Sequence, residues 1–80
     1  MTVSPTIFRA GPYRFYFFSR EEPRPHVHVQ SPEGEVKFWL DPIELAKNYK
    51  LKERELQRIR ELILEHEHEI RDAWNRHFGS

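Results

Sequence analysis

Six consecutive residues, Arg24-Pro25-His26-Val27-His28-Val29, hold the densest chemistry in this chain. A β-strand points successive side chains to opposite faces. In a strand here Val27 and Val29 share one face, and His26 and His28 share the other. Imidazoles are the only side chains whose unperturbed pKa lies near neutrality. Two of them on one open face suit a general base and a general acid acting on a ribose 2′-hydroxyl and a leaving oxygen. Lys37, Arg14 or Arg24 beside them would stabilise a pentavalent phosphate. Tyr16, Phe18 and Trp39 would stack bases, as aromatics on sheet faces do in single-strand RNA readers. This set predicts metal-independent, ribonuclease-like chemistry at His26, His28 and Lys37, with Arg14, Tyr16, Phe18, Arg24 and Trp39 as binding residues. Exposed aromatics and arginine are also what protein interfaces enrich. A non-catalytic interaction module is therefore the competing expectation. A third reading is metal: His26 and His28 can reach one zinc ion, but a site needs at least a third ligand, for which Asp41 is the candidate. None of these readings calls for a cofactor.

The elements that must position these residues follow from the pattern around them. Residues 6–9 precede Gly11-Pro12, a turn signal. Residues 13–19 are strongly β-prone. Arg20-Glu21-Glu22-Pro23-Arg24-Pro25 is charged, interrupted twice by proline, and reads as a loop from which Arg20 or Arg24 would hold a phosphate. Residues 26–30 form the next strand. Ser31-Pro32-Glu33-Gly34 carries the proline and glycine of a type I turn, so residues 35–40 return as a hairpin. Asp41-Pro42 interrupts, and residues 43–46 read as a short strand. Phe15, Phe17, Val27, Val29, Val36, Phe38 and Leu40 supply one apolar face. The opposite face then carries Arg14, Tyr16, Phe18, His26, His28, Lys37 and Trp39, with Asp41 at its rim.

Beyond residue 50 the chain has no proline, and no glycine before Gly79. Leu56, Ile59, Ile63, His66, Ile70, Ala73 and His77 recur at spacings of three and four, the stripe of an amphipathic helix. Leu62 and Trp74 widen it. On this stripe His66 and His77 read as packed histidines, each with one hydrogen bond. Lys52 is a poor N-cap, and Gly79 is placed to end the helix. An unbroken helix over residues 52–78 would be roughly 40 Å long at 1.5 Å per residue, longer than a domain of this size. A break near residues 66–69 is expected. Otherwise one end projects and packs on a second chain.

The sum is one α+β domain over residues 1–80. A small antiparallel sheet of three to five strands, from about residues 6–46, lies under one long or two consecutive C-terminal helices over about residues 52–78. Thirteen Lys and Arg balance thirteen Asp and Glu. This lacks the strongly basic footprint of most nucleic-acid binders, so any RNA contact must be local. The chain has no cysteine, hence no disulfide and no thiolate metal site. Residues 1–5 lack the basic and apolar regions of a signal peptide, and no apolar run reaches membrane-spanning length. A soluble cytoplasmic protein is the expectation.

Pro5-Thr6-Ile7, residues 13–19, Pro25-His26-Val27-His28-Val29, Trp39-Leu40-Asp41-Pro42 and Ala73-Trp74-Asn75 carry a family likeness. From Pro5 onward the chain resembles the small bacterial proteins grouped as domain of unknown function 4160. Members of that family are often encoded beside a small companion and are suspected to form toxin–antitoxin pairs. The resemblance implies an antitoxin-like partner protein and a toxin role for this chain, and brings no established activity and no catalytic residues with it. Many relatives have Ser or Thr where this chain has Lys52, a difference that bears on capping alone. Homodimerisation, through the aromatic patch or a projecting helix, is the competing form of association.

Overall fold

The structure is a computed structural model that describes residues 6–18 and 23–79. Five strands precede two helices: β1 (Thr6–Ala10), β2 (Tyr13–Tyr16), β3 (His26–Gln30), β4 (Glu35–Leu40), β5 (Ile43–Tyr49), α1 (Glu53–Glu65) and α2 (Glu67–Phe78). The strands form one antiparallel meander in the order β1-β2-β3-β4-β5. This is the expected α+β architecture, with two helices rather than one. The strand expected over residues 13–19 ends at Tyr16. Ser19 and the loop residues Arg20, Glu21 and Glu22 lie outside the described residues, as do residues 1–5 and Ser80.

Alternation builds the core. Val27 and Val29 pair with Phe38 and Val36 across β3 and β4. All four are buried with Phe15, Phe17, Leu40 and, from the helices, Ile59, Leu62, Ile63, Ile70 and Trp74. The hairpin between β3 and β4 closes through Ser31. Its amide donates to the Gly34 carbonyl at 2.9 Å, and its hydroxyl accepts from the amides of Glu33 and Gly34. At the next corner the Asp41–Pro42 peptide is cis. The Arg71 guanidinium, tied to Glu67 at 2.9 Å, also donates to the Leu40 carbonyl and so fastens α2 to the end of β4.

The break in the helical segment falls at His66, whose φ of −111° leaves the helical range. Proline and glycine, the usual causes, are absent there. His66 does the work with its own side chain. The Leu62 carbonyl accepts from the His66 amide at 3.0 Å and from ring Nδ1 at 2.9 Å. Such local side-chain bonds compete with helix continuation. The ring then stacks on Phe8 at 4.2 Å, and Phe8 in turn stacks on Phe15 at 4.3 Å. The folded molecule spans at most 34 Å, too short for the straight helix of roughly 40 Å. His77 departs from the expected packed position: it is exposed, with its ring near Phe17 and Phe78.

At the other end of α1, Lys52 makes no side-chain cap. The corner is held instead by Asn48, whose amide donates to the Leu51 carbonyl at 2.9 Å and accepts from its amide at 3.0 Å. Lys50 adopts a positive φ of 76° inside that corner. Gly79 ends α2 in the left-handed conformation, as its position predicts. Among the described residues, no helix is long and apolar enough to cross a membrane.

Candidate functional site

The helices cover one face of the sheet. On the other, the strand register lines up side chains row by row. Tyr16 pairs with His28, His28 with Lys37, and Lys37 with Lys47. One step along the strands, Arg14 pairs with Gln30, and Glu35 with both Gln30 and Tyr49. In the other direction His26 pairs with Trp39, and Trp39 with Glu44.

Rings and cations interleave on this face. Tyr16 is buried beneath its neighbours. Phe18 meets it edge-on at 5.4 Å, His28 lies at 5.4 Å, and the Arg14 guanidinium sits 4.5 Å from its ring centre. Phe18 also tilts against His28 at 4.5 Å. Arg14 is steered by Thr6 Oγ1 at 2.8 Å and Gln30 Oε1 at 3.4 Å. Trp39 carries two cations, the Arg24 guanidinium at 4.0 Å and Lys37 Nζ at 4.6 Å. Such placements contribute roughly 0.5–1 kcal/mol each at exposed sites.

His26 corrects the expectation of two outward imidazoles: it is 0% exposed. The alternation itself is as expected, since Val27 and Val29 fill the core. At the start of β3, however, the end of the sheet meets α2. The His26 ring is enclosed by Trp39 at 6.0 Å, Trp74 of α2 at 5.2 Å and His28 at 5.1 Å. Its Nδ1 lies 2.6 Å from the Arg24 carbonyl, which only accepts, so Nδ1 carries the proton. A sealed ring does not touch a substrate. His28, two residues further from α2, remains half-buried and lines the surface. The acid–base pair drawn from the sequence is thereby reduced to one accessible imidazole.

The metal alternative is corrected as well. Among the described residues, no three His, Asp or Glu side chains gather at one point, so Asp41 does not complete a site with His26 and His28.

Of the remaining residues picked from sequence, Lys37, Arg14, Tyr16, Phe18, Arg24 and Trp39 share the face. Lys47 and Tyr49 were missed. A strand ending at Ala46 leaves them out, whereas β5 runs to Tyr49 with an irregularity between the Lys37 and Phe38 pairings. Leu45 pairs with Phe38 on the helix side, Ala46 is the extra residue, and Lys47 then faces the same way as Lys37. A bulge of this kind reverses the alternation, and no local sequence signal marks it. With Phe18, His28, Glu35 and Lys37, these two residues line an open hollow of about 380 Å³. Phe18 at 39% and Tyr49 at 64% are its exposed aromatic walls.

The arrangement defines a small α+β domain with a cationic and aromatic sheet surface opposite its helices. Residues 13–75 match the family described as Domain of unknown function (DUF4160), and the chain belongs to that family. The match takes in β2 to β5, α1 and most of α2, including every residue of the hollow. No curated protein and no solved structure matches the chain.

Proposed function

We propose that this protein is the docking member of a two-component, toxin–antitoxin-like pair, binding a small companion protein in the cytoplasm through the sheet face opposite its helices. The single observation that carries the reading is the cladding of that face. Arg14 lies on Tyr16, Arg24 and Lys37 lie on Trp39, and Phe18 and Tyr49 stay exposed beside them. Interfaces concentrate Tyr, Trp, Phe and Arg. A lone domain gains nothing from leaving two large aromatic groups in water around a hollow. The burial of His26 weighs in the same direction, because the face offers one imidazole where phosphodiester cleavage by paired histidines needs two.

The test uses the small protein encoded beside this one. The two are co-expressed, and the affinity is measured by calorimetry. Tyr49→Ala removes an exposed ring and leaves the core untouched, so it should weaken the complex at least about tenfold, a cost of about 1.4 kcal/mol, with the unfolding midpoint unchanged. Trp39→Ala should weaken it further. Undiminished affinity in both variants, or self-association through this face without a companion, defeats the proposal.

One observation favours a second reading, RNA binding: His28, Lys37 and Lys47 form a continuous row with aromatic side chains at each end. On that reading, expression of the wild type arrests growth and His28→Ala relieves the arrest without loss of companion affinity. A wild type that arrests no growth and binds no single-stranded RNA removes it.

A further inference from the structure

We infer that the flank between β5 and α1 is a dimer interface, and that its occupant is a second copy of this chain packed antiparallel along α1. The inference goes beyond companion docking. This flank lies on the helix side of the sheet, where Leu45 pairs with Phe38, and its use leaves the hollow open. Among the described residues, four large apolar side chains stand exposed. Phe18 and Tyr49 serve the sheet face. Leu45, 43% exposed on β5, and Leu64, 46% exposed on α1, do not. Leu45 opens onto a groove of about 330 Å³ between β5 and α1, floored by Phe38, Ile43 and Leu56. β5 is an edge of the sheet, but its bulge breaks the regular ladder. Bulged edges resist extension by a further strand. A partner here meets side chains, and α1 presents most of them.

The charges on α1 choose the partner. Glu53, Gln57, Arg60 and Leu64 succeed one another at spacings of four, three and four, so they form one exposed stripe of the helix. The two charges of that stripe have no complement on their own helix. Leu56, Gln57, Ile63 and Leu64 stand three and four residues from Arg60, and Leu56 and Gln57 stand three and four residues after Glu53. Helical ion pairs need those spacings. Among the described residues, the pair formed within α1 is Arg58–Glu61 at 3.3 Å, and neither stripe charge enters it. Glu53 and Arg60 lie two turns apart, roughly 10 Å along the axis. A second α1, running the opposite way about a twofold axis between Leu56 and Gln57, sets each Glu53 against the other copy's Arg60. An isologous contact of this kind is self-complementary. Leu45 and Leu56 close its centre and supply the affinity. Exposed ion pairs add little affinity, but they fix the register. A foreign partner would need the same two charges at the same spacing, and a second copy already carries them.

The experiment is sedimentation velocity on the full chain from about 1 to 500 μM, the range in which small interfaces associate. The mass should rise with concentration from 9.8 kDa toward twice that value. Arg60→Glu and Glu53→Arg are both exposed changes, and each sets like charges together at both ends of the contact. Each should weaken association at least about tenfold, with the unfolding midpoint measured alongside to show that the fold is kept. An equal mixture of the two variants should regain the wild-type association, because in the mixed pair every contact joins opposite charges again. Leu45→Ser should weaken association without altering charge. A monomer at every concentration overturns the inference. So does a dimer that both charge variants leave intact, or one that their mixture fails to restore. A dimer lost in Tyr49→Ala but kept in Arg60→Glu overturns it by moving the contact to the sheet face. Companion affinity should be unchanged in Arg60→Glu, and its loss there would make the flank the companion's seat instead.

Discussion

Replacing His26 by alanine should destabilise the fold far more than the same change at His28, although the two residues sit two apart on one strand. His26 is 0% exposed, ringed by Trp39, Trp74 and His28, and its Nδ1–H is bound to the Arg24 carbonyl at 2.6 Å. Fully buried aromatic side chains cost about 3–5 kcal/mol when cut to alanine. An imidazole is smaller than a phenyl ring, so a figure just below that range applies, about 2–3 kcal/mol. The stranded carbonyl adds about 1 kcal/mol. The sum is about 3–4 kcal/mol, against a total of about 4–12 kcal/mol for a domain of this length. For this size each kcal/mol moves the midpoint about 4–8 °C, so His26→Ala should melt at least about 12 °C below wild type. His28→Ala, half-buried and away from α2, should cost about 1 kcal/mol or less. Thermal and urea unfolding followed by circular dichroism measures both. His26→Asn supplies an amide donor near the position of Nδ1 and should recover about 1 kcal/mol of the loss. Equal midpoints for His26→Ala and His28→Ala would refute the assignment of His26 to the core.

Three further outcomes follow from the same structure. Gly34→Ala should cost about 2–3 kcal/mol, because the new Cβ would lie 2.0 Å from the backbone carbonyl of Tyr49, which has no rotamer by which to yield; hydrogen exchange should quicken at the end of β5, and wild-type exchange there would contradict the clash. Arg71→Met should lower stability by about 1–2 kcal/mol, since the stem is kept while the Leu40 carbonyl loses its guanidinium donor; an unchanged urea midpoint would show that this bond contributes nothing. The Tyr13 phenol is raised above its ordinary pKa, first by burial, then by Glu55 and Glu33, with Arg58 opposing. A raised acid favours its neutral form in the fold, so its contribution is complete below the ordinary tyrosine value and is lost as pH rises through the raised one. The stability difference between wild type and Tyr13→Phe should therefore be constant at neutral pH and shift in favour of the variant as pH rises above the ordinary tyrosine value of about 10; a difference that stays flat there would contradict the burial.

Most of the fold was legible because one rule, alternation, governs it. Val27, Val29, Val36 and Phe38 read inward and are inward, and the three-four spacing of Leu56 to Trp74 marks the covering helices. The break in those helices was visible only as a problem of length. Its agent, a histidine bonding back to Leu62, depends on Phe8 arriving from the far edge of the sheet to hold the ring. The site was half legible for a related reason. Which face His26 leaves from is local information, but whether that point is covered depends on where Trp74 ends, some fifty residues later. The bulge that adds Lys47 and Tyr49 likewise comes from β4 and β5 fitting together, and neither strand encodes it alone.

These two long-range effects move the surface in one direction. Covering His26 removes chemistry from the β3 end near α2, and the bulge adds charge at the β5 end. The centre of the face thus passes from a pair of imidazoles to a pair of lysines with one imidazole beside them. A reaction that used both histidines would have to begin from a state in which His26 had left its pocket. If leaving costs the roughly 3 kcal/mol worked out above, that state is populated at about one part in a hundred or less. Paired acid–base catalysis would then run at about a hundredth of its intrinsic rate, and variants that loosen the pocket, such as Trp74→Leu, should accelerate it. A binding surface predicts the reverse. Loosening Trp74 frees His26 and disturbs Trp39, so companion affinity should fall. The sign of the Trp74→Leu effect, measured once on RNA cleavage and once on companion binding, decides which chemistry the sealed histidine serves.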